Sequence, residues 1–350
     1  PYSRAEYFAD GDEYFTQLFK EIEKAEKSVY LEYFIMCRGR IFSRLVSALA
    51  VANRNGAEIK IIIDGIGCAF KLGRKDLKKL KTAGAEIRIF HRLKPLPHSR
   101  LNLRDHRKIA SVDGKVAFTG GINIADEYAN TDSPYGYWKD VGAAVYGGAA
   151  IAFEAMFLSL WNGSYEAEAP QAEGKKCLPF CDLPPNRPSF AEDAFVYAVS
   201  SAKEKIHILT PYFCVSEKIH SALRLAAMRG VDVRIILPHI PDKKYALELS
   251  RACAERLMPA GVKFYEYTPG FMHAKVMTCD DGAYIGSYNF DHRSMRLNCE
   301  CGLMIRGEVA MSAERDFWQC LRMSSPMKAT KISFPRKAVR FILKIAAPLM

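Results

Sequence analysis

The chain repeats itself, and this restricts it to folds built from two copies of one unit. From Ala25 it reads AEKSVYLEYFIM, then a stretch of helical periodicity ending near Gly56, then AEIKIIIDGIG, LKTAGAEIRIFH and a histidine motif at His106. From Ala202 it reads AKEKIHILTPYF, a second periodic stretch ending at Gly230, then VDVRIILPHI, LMPAGVKFYEY and a histidine motif at His273. The order is the same in both. The offset between copies is slightly larger at their starts than at their histidines, so the first half carries the longer loop ahead of its motif.

Short β-branched runs predict strands over 29–33, 59–63 and 87–90, matched by 206–209, 231–237 and 262–265. Their near-continuous apolar character suits strands covered on both faces. Between them Ile41, Leu45, Val46, Leu49 and Ala52 recur at helical spacing, and both helices close on a glycine, Gly56 or Gly230, where a left-handed cap belongs. Alternating elements give an α/β fold of two tandem α/β/α sandwich domains. The expected division is 1–163, a linker over 164–193 rich in Pro, Glu, Ala and Gly, a second domain over 194–325 and a tail over 326–350.

The two motifs carry the chemistry. The first is His106-Arg107-Lys108, then Asp113, then Gly120-Gly121-Ile122-Asn123; the second is His273-Ala274-Lys275, then Asp280, then Gly286-Ser287-Tyr288-Asn289. On a strand, residues two apart share a face, so each imidazole lies beside an ammonium. One H-x-K triplet arises by chance in many long chains; two full copies at equivalent points of a repeat do not. Two such sets meeting across a pseudo-twofold axis suit attack on a phosphodiester. One neutral imidazole attacks phosphorus and a protonated one supplies the leaving alkoxide's proton. Lys108, Lys275, Asn123 and Asn289 would hold the non-bridging oxygens, and neither metal nor organic cofactor is called for. Asp113 and Asp280 complete the motifs and group with the catalytic set, although a lone aspartate of this kind more often serves as a turn residue at a sheet edge. The second copy is one residue shorter between its aspartate and its glycine, a difference expected to be absorbed in the hairpin turn. Gly121 stands where the second copy has Ser287, so a hydroxyl contact to phosphate is expected on one side only.

These residues resemble the phospholipase D superfamily and, within it, the bacterial cardiolipin synthases. Beyond the motifs the likeness is carried by YFADGDEYF near the start, GGINIADEY at 120–128, YWKDVG at 137–142, TPYF at 210–213 and NFDHRS at 289–294. It runs from about Tyr7 to the C-terminus. The resemblance implies one active site shared by both domains and a reaction that joins two phosphatidylglycerols into cardiolipin with release of glycerol. It also implies that Asp140 and Glu300 orient the histidines, that His106 is the nucleophile and His273 the acid, and that the enzyme works at the cytoplasmic face of a bacterial cell membrane.

Charge agrees with an anionic partner: 50 Lys and Arg against 39 Asp and Glu leave a net +11. Over 335–350, Lys337, Arg340 and Lys344 share one helical face, and Ala338, Phe341, Ile342, Ile345 and Leu349 the other. A basic amphipathic helix of this kind lies in a lipid interface, although a helix packed on the protein's own core gives the same pattern. Basic tracts at 71–81 and 92–107 read on their own as solvated helix and loop faces; placed just before His106 they also suit gathering anionic lipid, with an apolar loop at 93–96 entering the bilayer. The chain opens on Pro1 rather than methionine, and an anchoring segment ahead of it is expected. The competing readings are a phospholipid hydrolase or nuclease with the same two-histidine chemistry, and a catalytically dead scaffold. The intact motifs argue against the scaffold. The ten cysteines lack paired C-x-x-C zinc spacing and read as reduced thiols.

Overall fold

The apolar runs become central strands because each is covered on both faces. Ser28–Tyr33 is buried along its whole length, and Glu58–Asp64 over its C-terminal part. In the computed structural model, which describes residues 4–92, 102–164, 177–183 and 189–328, Ser28–Tyr33, Glu58–Asp64 and Ala85–Phe90 run parallel in that order. On the other side of Ser28–Tyr33 lie Lys108–Val112, Val116–Gly120, Gly142–Tyr146 and Ala5–Phe8, each antiparallel to its neighbour. The second half repeats this order. Lys205–Leu209, Asp232–Pro238 and Lys263–Tyr267 are parallel, followed on the opposite side by antiparallel Val276–Cys279, Gly282–Gly286, Asn298–Arg306 and Cys177–Asp182. Both sheets are therefore mixed.

Helices cover both faces of each sheet. Gly11–Glu23 and Arg40–Arg54 bury Phe15, Leu18, Leu45 and Leu49 against Leu31 and Ile61, while Gly148–Trp161 sets Phe157 and Trp161 on Tyr30 and Ile62 of the opposite face. In the second half Phe190–Ser201, Glu217–Met228 and Lys244–Leu257 lie on one face and Glu308–Arg322 on the other. Gly56 and Gly230 both take φ +92°, the left-handed caps expected of them.

One apolar cluster joins the halves: Ile109, Val145 and Phe153 pack with Leu209, Ile285, Leu303 and Phe317. Each such buried side chain stabilises by about 1.5–3 kcal/mol, so the interface is a core shared by both domains. Tyr7 adds a hydroxyl bond to Asp316 across it at 2.6 Å.

Two expectations change here. The stretch 164–193, read as a linker, contains the edge strand Cys177–Asp182, paired along its length with Asn298–Arg306, and the start of helix Phe190–Ser201. Its Pro179 is tolerated because at a sheet edge a proline costs no ladder bond. Of the tail at 326–350, Pro326 closes the strand Ser324–Pro326 and the Met327 N–H donates to Phe264 O at 2.9 Å. The expected helix at 335–350 and the loop at 93–96 lie outside the described residues. The hairpin difference falls where expected: Val112 pairs with Val116 across three residues, Cys279 with Gly282 across two.

Candidate active site

Each histidine stands just ahead of a central strand, Lys108–Val112 or Val276–Cys279, and the opposite half fixes it. Arg104–Asp105 pairs in parallel with Asn298 and Cys299, and the His106 N–H donates to Cys299 O at 2.9 Å. Gly270–Met272 pairs in the same way with Tyr137–Lys139, and the His273 N–H donates to Lys139 O at 2.7 Å. Each histidine is thus bonded through its backbone to the residue just before the other half's acid. The side chains follow. His106 Nδ1 lies 2.9 Å from Glu300 Oε2, and His273 Nδ1 lies 2.5 Å from Asp140 Oδ2. The two acids therefore meet the histidines crosswise, each reaching the imidazole of the other domain.

Burial dominates the electrostatics. It holds the His106 imidazole well below its ordinary range, assisted by the charges of Lys108, Lys275 and His273. Burial and the Lys275 ammonium lower His273 to about 4. Burial also lowers Lys108 to about 8 and Lys275 to about 7, and raises Glu300 to about 7. Groups of both halves thus share one electrostatic neighbourhood, with two neutral imidazoles between two weakened cations. Each lysine donates to its own histidine's carbonyl, Lys108 Nζ to that of His106 and Lys275 Nζ to that of His273, and Lys275 Nζ also stands 2.9 Å from Nδ1 and 3.1 Å from Nε2 of the His273 ring.

The residues around this centre differ between the copies. The Ser287 hydroxyl donates to Glu300 Oε2 at 2.5 Å and Asn298 Nδ2 donates to Glu300 Oε1 at 3.0 Å. The Ser287 hydroxyl, expected on phosphate, is committed to the acid instead. At Gly121 a Cβ would stand 2.1 Å from Asp140 Oδ1, so the shorter acid occupies the space a side chain would need. The two motif amides part in the same way. Asn123 accepts from the Ile35 N–H at 3.0 Å and donates to the Tyr128 hydroxyl at 2.7 Å, which commits it to the wall. Asn289 lines the cavity, and its buried Oδ1 has no partner among the described residues. The expected symmetric pair of amides around phosphate is therefore reduced to one.

Asp113 and Asp280 lie at the far ends of their strands from the imidazoles. Asp113 accepts from the backbone N–H groups of Glu26, Lys27 and Ser28, and Asp280 from those of Lys203, Glu204 and Lys205. Burial alone would raise both carboxyls; these backbone donors bring them below the ordinary range. They tie each hairpin to the start of the neighbouring strand and do not join the catalytic set.

The imidazoles face different surroundings. Tyr128, Trp138 and Phe271 surround His273 with ring centroids 5.1–5.7 Å away. His106 meets Phe34 edge-on at 5.0 Å and opens onto a cavity of about 470 Å³ that Tyr212, Lys243, Asn289 and Arg293 also line. Sequence reasoning passed over Phe34, Lys243, Tyr245 and Asn298 of this lining; only the TPYF and NFDHRS runs pointed toward Tyr212 and Arg293.

Residues 18–133 and 196–321 both match the family described as cardiolipin synthase, PLD-like domain. The chain belongs to that family. A cardiolipin synthase of Clostridium perfringens (strain SM101) is 35% identical over 98% of this chain and 76% of its own length. One from Geobacillus thermodenitrificans is 32% identical over 99% of this chain and 72% of its own length. The solved phosphatidylserine synthase of Haemophilus influenzae superposes with a TM-score of 0.76, covering 98% of this chain and 92% of that one, at 16% identity. This last likeness is one of fold. Membership makes the protein an enzyme of the phospholipid-modifying phospholipase D superfamily, of the cardiolipin synthase type. Among the described residues no helix is long and apolar enough to cross a membrane.

Proposed function

We propose that the enzyme transfers a phosphatidyl group from one phosphatidylglycerol to another through a phosphohistidine on His106. The observation carrying this reading is the crossed pairing of each imidazole with the other half's carboxylate. A carboxylate on Nδ1 holds the proton there and leaves Nε2 for chemistry, as in other histidine-dependent transfers. In the first step His106 Nε2 bonds to phosphorus while the bond from phosphorus to the glycerol oxygen breaks. His273 gives that oxygen its proton. In the second step the hydroxyl of another phosphatidylglycerol returns a proton to His273, its oxygen bonds to phosphorus and the P–N bond breaks, restoring His106. Two phosphatidylglycerols become one cardiolipin and one glycerol.

Three observations favour this division of labour. His106 lines the cavity. The Lys275 ammonium engages Nε2 of His273, which makes that imidazole the poorer nucleophile. The closer carboxylate, 2.5 Å away, suits the imidazole that must become charged. His273 is neutral in the free site because burial and Lys275 oppose its protonation. An arriving phosphodiester anion offsets that cationic field and lets it take up a proton. Lys108, Lys275 and Asn289 then stabilise the oxygens of the transition state.

The decisive experiment incubates the protein with phosphatidylglycerol vesicles and follows lipid products and free glycerol. Cardiolipin with stoichiometric glycerol supports transfer; phosphatidic acid alone would make the enzyme a hydrolase.

A further inference from the structure

Two loops at equivalent points of the repeat neighbour the cavity, one through Lys243, which lines it, and the other through its contact with Phe34, which also lines it. Residues 65–73 connect Glu58–Asp64 to helix Arg74–Thr82, and residues 239–243 connect Asp232–Pro238 to helix Lys244–Leu257. Both leave the C-terminal ends of parallel strands, the edge at which α/β sheets form their clefts. Both are tied to the cavity wall. The Cys68 thiol donates to the carbonyl of Phe34, the residue that meets His106 edge-on. The Tyr212 hydroxyl donates to Asp242 at 2.5 Å, and Lys243 Nζ donates to that hydroxyl at 3.0 Å.

Both loops turn apolar side chains outward. Phe70 is 95% exposed and takes φ +64°, a left-handed backbone that a bulky residue rarely adopts. Ile66 and Ile240 are each 37% exposed, and Tyr245, just inside the second helix, 43%. Exposed cations accompany them: Arg74, Lys75 and Lys78 beside the first loop, Lys243 and Lys244 at the second. Apolar side chains interleaved with cations match the boundary between acyl chains and anionic headgroups. A flat partner lying across a pseudo-twofold axis meets both copies of a repeated feature at once, and a bilayer is flat.

We propose that these loops are a pair of lips that seat the mouth of the shared cavity on an anionic phospholipid bilayer. Phe70, Ile66 and Ile240 enter the acyl boundary and the cations lie over lipid phosphates. The inference rests on the lipid reading of the site and adds the route: substrate slides from the leaflet into the cavity without crossing water. Nucleic acid would meet the same cations, but gives an exposed phenylalanine and two isoleucines no apolar phase to enter.

The test uses the full chain with vesicles of phosphatidylcholine and phosphatidylglycerol at 3:1, and of phosphatidylcholine alone. The double variant Phe70→Ser, Ile240→Ser, which leaves the catalytic groups in place, is expected to bind the mixed vesicles at least about 100-fold more weakly. Its turnover of a monomeric short-chain phosphatidylglycerol stays at the wild-type rate. Independently, Phe70→Trp is expected to add fluorescence that brominated acyl chains quench, measured as the difference from the wild-type chain. Unaltered vesicle binding by the double variant, or an unquenched Phe70→Trp signal, would overturn the proposal. Tight binding and quenching with no cardiolipin formed would instead leave the lips standing and remove the proposed transfer.

Discussion

The two halves share one strand order but bury different chemistry at equivalent points. In the first half Arg107, on the opposite strand face from His106 and Lys108, is wholly buried with its Nε 2.5 Å from Glu32 Oε1. In the second half Ala274 follows the histidine in place of Arg107. The matching strand registers put Leu209 where Glu32 stands. The same frame thus closes over an ion pair on one side and over apolar side chains on the other. The lesson is that the pair is not needed to build the fold, in line with the small net contribution of buried ion pairs compared with apolar replacements. The acids differ similarly. Asp140 fits against a glycine, while the longer Glu300 is held by Ser287 and Asn298.

The largest expected effect separates the two histidines. With radiolabelled lipid, His106→Ala should leave no trapped phosphatidyl adduct. His273→Ala should still form one, about 10²–10⁴-fold more slowly, the usual contribution of a general acid. An adduct persisting in His106→Ala would exchange the roles of the two halves. Next comes the ion pair. Arg107→Ala strands the buried carboxylate of Glu32, and removes the charge 3.8 Å from that of Asp105, and should lower the unfolding free energy by about 3–5 kcal/mol in urea titrations. Adding Glu32→Leu, which copies the second half, should recover more than half of that loss; no recovery would mean the halves are less alike than their strand order says.

Smaller effects concern the acids. Ser287→Gly removes a hydrogen bond to a carboxylate and should reduce kcat by about ten- to a hundredfold, since bonds to charged groups contribute about 1.5–3 kcal/mol. The smallest change is in pH dependence. Glu300, raised to about 7, is protonated below that pH and loses the negative charge that strengthens its bond to His106 and the basicity of that imidazole, so activity rises as the pH passes upward through about 7. Lys275 and Lys108, lowered to about 7 and 8, lose their charges on the alkaline side, so activity falls again above that range. A profile of kcat/KM should therefore be a narrow bell between these values. Ser287→Gly, which withdraws support from the ionised Glu300, should move its rising limb to higher pH, while an unchanged limb would assign that limb to another group.

Much of this was legible in the chain itself. The six β-branched runs, the glycine caps and both histidine motifs can be read locally because each depends on neighbours a few residues apart. What could not be read depends on partners far apart in sequence. Asp140 and Glu300 stand out as acids in apolar runs, but their crossing to the other half's histidine is set by two short interdomain strand pairs that leave no local pattern. Asn123 and Asn289 occupy the same motif position, and only the tertiary neighbours Ile35 and Tyr128 close one of them off. The edge strand at Cys177–Asp182 lies in a stretch whose composition reads as a linker, and its pairing partner Asn298–Arg306 is far along the chain. The cavity draws Phe34, Tyr212, Lys243 and Arg293 from four separate segments.

The crossing of acid and histidine has a historical side. A solitary copy of the repeat owns an imidazole and a carboxylate that do not face each other, so neither pair exists until a twin arrives to complete both. Joining twins in one polypeptide makes the encounter permanent and releases each from having to match the other. One can then keep an arginine where its sibling keeps an alanine, and one can shape a chamber while the other becomes its back wall.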